Sequence, residues 1–137
     1  MAVTDGSAAY VYEGAAELTK YVTREGKVAI FLSAAQSKPD FNLAWGCMIE
    51  ECAELAEAAK DYTAESNDVT RSALVKELAD VQYVLSQLAI FYGVNLEEAF
   101  DRVALNNLTK VEGGVRFRDD GKILKPDGYV KPDMGGL

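Results

Sequence analysis

The apolar residues recur at helical rather than strand spacing along most of the chain, which predicts an all-α fold. The clearest segment runs from about Thr70 to Tyr92, and Gly93 is expected to end it. Its apolar positions lie four and three residues apart, which is the spacing of a helix that packs on other helices. These positions are Leu74, Leu78, Val81, Leu85 and Leu88.

Two helices are predicted before this segment. The first covers about residues 12–35, and residues 37–39, which include a proline, are expected to stop it. The second covers about residues 41–61, with Asp40 as its N-cap. The polar residues 63–68 are expected to form the loop that follows it.

A fourth helix is predicted from its cap. Asn95 is the expected N-cap, Glu98 is its capping-box partner, and the helix runs to about Lys110. Together the segments predict a bundle of four main helices. Because the second helix is apolar most of the way round, one small protomer cannot cover it, and a homodimer or a dimer of dimers is expected.

The chain is expected to form one domain over residues 1–137, with a helical core of about 12–110 and an irregular tail of 111–137 rich in glycine and proline. In the tail, residues 115–124 alternate around an Asp-Gly pair and predict a short hairpin. Residues 125–128, "KPDG", predict a turn.

Composition narrows the classes of function. The formal net charge of -8 argues against binding to nucleic acid or to an anionic membrane, so a phosphate-bearing ligand is expected to arrive with a cation. No stretch reaches the roughly 18 apolar residues of a membrane span, and the N-terminus lacks the basic region of a signal peptide. A cytosolic protein is expected, with Cys47 and Cys52 as reduced thiols.

The chain contains no histidine. This excludes Ser-His-Asp and Cys-His catalysis, histidine-ligated zinc and the Glu-x-x-His di-iron pattern. Carboxylates must therefore carry much of any chemistry.

Two predicted helices place carboxylates beside apolar positions. On the second, Glu50 and Glu54 lie within about an 80° arc that also holds apolar residues, with Glu51 at its edge. On the third, Glu77 and Asp80 lie one turn apart. Because a buried unpaired carboxylate is costly, a divalent cation is the simplest counter-charge, and oxygen ligands suit Mg²⁺ or Mn²⁺. A single acidic helix face is usually only solvated, but two such faces favour a metal site.

The same residues resemble a known family. Glu50-Glu51-x-x-Glu54 followed by Glu77-x-x-Asp80 is similar to the acidic signature of the MazG-like all-α nucleoside triphosphate pyrophosphohydrolases. The resemblance implies Mg²⁺ binding by these five residues and cleavage of a nucleoside triphosphate to the monophosphate and pyrophosphate. It also makes Glu50 the candidate catalytic base, with ligation of a second metal ion as the alternative role.

The last helix and the tail carry the implied substrate contacts. "NLTK", from Asn107 to Lys110, resembles the Asn and Lys that the family places near the phosphates. "DGKILKPDGY" resembles the tail of members similar to phosphoribosyl-ATP pyrophosphohydrolases and dimeric dUTP-hydrolysing enzymes. The candidate substrate-binding residues are therefore Asn107, Lys110, Lys122 and Lys125, although lysines on a polar loop are more often solvated.

Three functions remain open at this point. The leading one is an Mg²⁺-dependent nucleoside triphosphate pyrophosphohydrolase that cleans the nucleotide pool, with a preference for dUTP or dCTP. Its nearest rival is a phosphoribosyl-ATP pyrophosphohydrolase. A rival of another class is a non-catalytic helical interaction module with an acidic metal-binding patch. Metal-dependent pyrophosphate release separates the first two from the third, and a substrate panel separates those two from each other.

Overall fold

The computed structural model describes residues 22–137, and over this range the chain forms four helices and no strand. The prediction of an all-α fold is therefore confirmed. The helices are α1 (Arg24–Ala34), α2 (Phe41–Ala64), α3 (Asp68–Tyr92) and α4 (Leu96–Thr109).

The described residues up to Gly93 form one compact unit, and Val94–Leu137 form a second unit. In the first unit, α3 packs against both α1 and α2. Alanines occupy the fully buried positions of α2, which lets its backbone approach α3 closely. The buried apolar residues of this unit are Val28, Leu32, Ala44, Ala58, Val84, Leu88 and Ala89.

Helix α1 begins later than predicted within the described residues. The early part of the predicted helix 12–35 lies outside the described residues. Within the described residues, Thr23 is extended, with φ −61° and ψ 166°. Its hydroxyl accepts a hydrogen bond from the amide of Gly26 at 3.1 Å. This side chain caps a helix that starts at Arg24, so the prediction of a continuous helix through Thr23 is wrong.

The predicted start of α2 and the predicted end of α3 are confirmed. The Asp40 carboxylate accepts a hydrogen bond from the amide of Leu43 at 3.0 Å, which satisfies one of the free N–H groups at the start of α2. Gly93 ends α3 with φ 68°, a left-handed conformation that glycine adopts without strain.

The loop between α2 and α3 is shorter than predicted. Asn67 and Thr70 form a reciprocal capping box, in which the Thr70 amide donates to Asn67 Oδ1 at 2.9 Å and the Asn67 amide donates to Thr70 Oγ1 at 3.1 Å. This box starts α3 at Asp68, and α2 continues to Ala64. The predicted loop of residues 63–68 is therefore wrong at both ends, because its polar residues serve as caps.

The buried face of α3 matches the predicted row only in part. Leu88 of that row is buried, but Leu78 and Leu85 are 53% and 44% exposed, whereas Val84, which lies outside the row, is buried. The helix turns the row that contains Glu77 and Val84 inward instead. Spacing alone could not separate these two neighbouring rows, since both are compatible with a helical period.

In the second unit, Asn95 caps α4 as predicted, and its side chain accepts a hydrogen bond from the amide of Glu98 at 3.1 Å. The expected capping box is wrong in its other half. The Glu98 carboxylate pairs with Arg102 one turn further on, with Oε1 at 3.3 Å from Nε. The stronger attraction of a guanidinium directs the carboxylate away from the Asn95 amide.

The tail forms the two turns that were predicted. An isolated antiparallel bridge joins Phe117 to Ile123 across a turn in which Gly121 has φ 89°. The second turn covers residues 126–129, one residue later than predicted, and in it the amide of Tyr129 donates to the carbonyl of Pro126 at 3.1 Å. The hairpin is therefore present in minimal form.

Two smaller findings concern the cysteines and the hydropathy of the helices. Cys47 and Cys52 are free thiols, and Cys52 Sγ lies 3.8 Å from Met48 Sδ. No helix within residues 22–137 is both long enough and apolar enough to cross a bilayer.

Candidate metal centre

Carboxylates from α2 and α3 meet in one cluster. Glu51 lies on α2, and Glu77 and Asp80 lie one turn apart on α3; one oxygen of each falls within 4.8 Å of the others. All three residues are half-buried where the two helices pack together. Three carboxylates at this separation can act together as ligands of one divalent cation.

Burial and the neighbouring carboxylates both act on Glu51. Burial raises the pKa of this carboxyl above its ordinary value, and the charges of Glu54, Asp80 and Glu77 raise it further, whereas Lys76 lowers it. The ionised form of Glu51 is therefore disfavoured by its surroundings. A bound cation would reverse that effect, since it favours ionised ligands.

A divalent cation fits the donor set. Glu51 Oε2 and Glu77 Oε2 are buried and have no hydrogen-bond partner among the described residues. A buried carboxylate oxygen without a partner is costly, and these two atoms come from facing helices of the same cluster. All of the donors are oxygens, which Mg²⁺ prefers.

Lys76 is the resident cation of the cluster. Its Nζ lies 2.6 Å from Asp80 Oδ2 and 3.4 Å from Glu77 Oε1, and these two contacts raise the pKa of the lysine. The sequence reasoning sought a counter-charge only on the second helix and so missed this one. The spacing of Lys76 and Asp80, four residues apart, is that of a helical ion pair and was a usable signal.

We expect Lys76→Met to tighten Mg²⁺ binding by about fivefold, because the ammonium repels a second cation and occupies Asp80. The melting temperature in EDTA should fall, because the acidic cluster loses its nearest positive charge. Calorimetric titration with Mg²⁺ and thermal melting in EDTA measure the two effects. Lys60→Met is the matched control, since the only ion pair of Lys60 in the described part of the chain is with the exposed Glu57, at 3.9 Å. Weaker Mg²⁺ binding in Lys76→Met would contradict this view of the lysine.

The other two candidate ligands on α2 lie outside the tight cluster. Glu50 and Glu54 are exposed, although Glu54 is close enough to raise the pKa of Glu51. The predicted arc overlaps the buried face only at one edge, because Leu43 within it is 64% exposed, whereas Ala58 is buried and Glu51 faces α3. A helix that is apolar most of the way round leaves its rotation undetermined until its neighbour is known.

In the second unit the structure brings together three of the four candidate substrate-binding residues. Lys110 Nζ donates to Asn107 Oδ1 at 2.8 Å. The ammonium groups of Lys110 and Lys125 lie 5.7 and 5.0 Å from the centroid of the Tyr129 ring. Lys122 lies instead at the hairpin turn, where its amide donates to Asp120.

A pocket of about 210 Å³ lies between α1 and α3, away from the cluster carboxylates. Next to it, Ser86 Oγ donates to Glu25 Oε1 at 3.4 Å, and Glu25 Oε2 is buried without a partner among residues 22–137. Nothing in the sequence indicated this pair, because an acidic residue in a first helical turn is ordinary. The lining residues are Arg24, Lys27, Val28, Ala79, Gln82, Tyr83 and Ser86.

The described chain is all-helical, and carboxylates of two packed helices share one cluster that could hold a metal ion, which is the class of candidate metal-binding helical proteins. The sequence model of the phosphoribosyl-ATP pyrophosphohydrolase family matches residues 34–107, more than half of the chain, and the chain belongs to this family. It is thus a member of the MazG-like pyrophosphohydrolases, which are metal-dependent. The match contains the whole carboxylate cluster. No curated protein gives a significant sequence match to the chain.

Proposed function

We propose that the protein is an Mg²⁺-dependent nucleoside triphosphate pyrophosphohydrolase. It converts a nucleoside triphosphate and water into the monophosphate and pyrophosphate, acts on the cytosolic nucleotide pool, and prefers dUTP or dCTP. The observation that carries the proposal is the cluster of Glu51, Glu77 and Asp80, with its two buried oxygens that lack partners in the described chain.

The cluster residues hold the cation in this proposal. Glu51, Glu77 and Asp80 are its ligands, and Glu54, one turn after Glu51, is a further one. When bound, Mg²⁺ neutralises phosphate charge and polarises the phosphorus–oxygen bonds. Mn²⁺ is expected to substitute, because it also accepts all-oxygen ligands.

The remaining assigned residues handle the proton and the phosphates. Glu50, an exposed carboxylate, accepts the proton of the attacking water, or else serves as an additional ligand. Lys110 and Lys125 neutralise phosphate oxygens, and Asn107 orients Lys110 through their 2.8 Å hydrogen bond. Lys122, whose side chain is exposed on the hairpin, is also assigned to phosphate binding.

A second candidate substrate is phosphoribosyl-ATP, which the description of the matching family favours. A panel of deoxynucleoside and ribonucleoside triphosphates and phosphoribosyl-ATP, with products resolved by anion-exchange chromatography, separates the two. The proposal predicts the highest kcat/KM for dUTP or dCTP. Turnover of phosphoribosyl-ATP alone would establish the second candidate instead, and no turnover of any substrate with Mg²⁺ would favour a non-catalytic role.

We also propose that the protein is a homodimer or a dimer of dimers. Trp45 and Ile49 are 47% and 68% exposed and share one face of α2 with Ala56, which is also exposed. Leu78 and Leu85 add exposed apolar area on α3. A second copy of the chain is the simplest cover for these faces, because isologous contacts bury the same patch twice.

Multi-angle light scattering at micromolar concentration tests the assembly. The chain should elute as a dimer or tetramer, and Ile49→Lys should shift it toward the monomer, because a charge in a buried apolar contact is costly. Lys60→Met is the control, because it changes an exposed position of the same helix and should leave the assembly unchanged. A folded wild-type monomer would contradict the proposal.

A further inference from the structure

Two lysines from different parts of the second unit converge on one aromatic ring. Lys110 follows the end of α4, Lys125 follows the hairpin, and their ammonium groups lie 5.7 and 5.0 Å from the centroid of Tyr129. Both distances are within cation–π range. The electron density of the ring attracts each ammonium group, so Tyr129 draws both lysines toward one point.

Hydrogen bonds to α4 fix the orientation of this ring. The Tyr129 hydroxyl donates to Asn106 Oδ1 at 2.6 Å, and Asn106 Nδ2 donates to the carbonyl of Val130 at 2.7 Å. The oxygen and the nitrogen of the Asn106 side-chain amide therefore bind Tyr129 and Val130, which are adjacent in the tail. Arg102, one turn earlier on α4, holds the end of the tail by donating to the carbonyls of Asp133 and Gly135 at 2.9 and 3.1 Å.

The positive charge of the pair is not neutralised within the unit. Among the described residues, neither Lys110 nor Lys125 lies within ion-pair distance of a carboxylate, whereas Arg102, Arg116 and Arg118 each do. The side-chain partner of Lys110 is the neutral amide of Asn107. Two oriented ammonium groups without an acidic partner are suited to an anion with several oxygens.

We propose that Tyr129, held by Asn106, is a positioning residue that keeps Lys110 and Lys125 together as a phosphate-binding pair. The inference rests on the proposed function, since it assigns the pair to the triphosphate of the substrate. A lysine loses considerable rotamer freedom when it binds a ligand, and a ring that already orders both lysines lowers that cost. Substrate affinity, rather than the chemical step, is what the ring controls.

The test compares Tyr129→Leu with Tyr129→Phe in the full chain. Calorimetry with inorganic tripolyphosphate in EDTA measures anion binding without metal, and steady-state kinetics with Mg²⁺ give KM and kcat. Tyr129→Leu should weaken tripolyphosphate binding and raise KM by about fivefold or more, with kcat within about twofold of wild type. Tyr129→Phe keeps the ring but loses the hydrogen bond to Asn106, so its losses should be smaller than those of the Leu variant and stay within about threefold in both measurements.

Lys131→Met is the matched control, because it removes one exposed charge from the same tail and should leave both values unchanged. Equal losses in the Leu and Phe variants, no loss in the Leu variant, or no tripolyphosphate binding by the wild type would overturn the inference. If nucleoside triphosphates are not hydrolysed but tripolyphosphate binding follows the predicted order, the proposed function fails and the lysine pair stands.

Discussion

Glu77→Gln is expected to lower Mg²⁺-dependent kcat/KM by about 1,000-fold or more, because it removes a proposed ligand whose ionised charge would hold the cation against the phosphates. The change keeps the size of the side chain and removes one of three crowded negative charges. The melting temperature in EDTA should therefore stay the same or rise. Steady-state kinetics and thermal melting measure the two effects.

The same result is expected for Glu51→Gln and Asp80→Asn, and a loss is also expected for Glu54→Gln. Glu57→Gln is the matched control, because Glu57 lies on α2 and, within residues 22–137, its only ion pair is a 3.9 Å contact with exposed Lys60. If any two of the cluster variants turned over at wild-type rates, the assignment of the metal site would be wrong. A large loss of activity in Glu57→Gln would show that turnover depends on the negative charge of the protein in general and not on the carboxylate cluster.

Removal of Mg²⁺ is the second change with a large expected effect. EDTA should abolish turnover, and excess Mg²⁺ should restore it. Because the proposed metal site exists only in the folded protein, saturating Mg²⁺ at about 100 times its dissociation constant should stabilise the fold by about 2.7 kcal/mol, which raises the melting temperature by several degrees.

The stabilisation should be specific to the carboxylate cluster. In Glu77→Gln, added Mg²⁺ should produce little or no rise in melting temperature, whereas Glu57→Gln should respond as the wild type does. An equal rise in both variants would indicate nonspecific screening of the net charge of -8 instead of a site. Full activity in EDTA would show that the reaction does not require a metal ion.

The sequence predicted the ends of helices well where a single capping residue sets the end. Asp40, Gly93 and Asn95 act within one turn of the chain, and each lies where its chemistry indicated. Asn67 was assigned to a loop and Thr70 to the start of the third helix, although the spacing of their side chains also suits a capping box. The exposure of Leu78 had no local signal, because it depends on which row of α3 meets its neighbours.

The residues of the candidate site likewise differ in whether local sequence could predict their arrangement. Glu77 and Asp80 share a helix, so their spacing alone placed them together. The choice of Glu51 over Glu50 and Glu54 required the rotation of α2 against α3, which its nearly continuous apolar surface does not specify. The contact of Lys110 and Lys125 with Tyr129 joins a helix end to distant loop residues, and no short-range pattern indicates such an arrangement.

The identity of the products tests the central claim most directly. A nucleoside triphosphate is incubated with the protein and Mg²⁺ in ¹⁸O-labelled water, and the products are resolved by chromatography and mass spectrometry. The proposed function predicts nucleoside monophosphate and pyrophosphate, with the label in only one of the two and no reaction in EDTA. Orthophosphate and a nucleoside diphosphate as the products, in a preparation free of contaminating phosphatase, would contradict it even if the carboxylate cluster binds the metal.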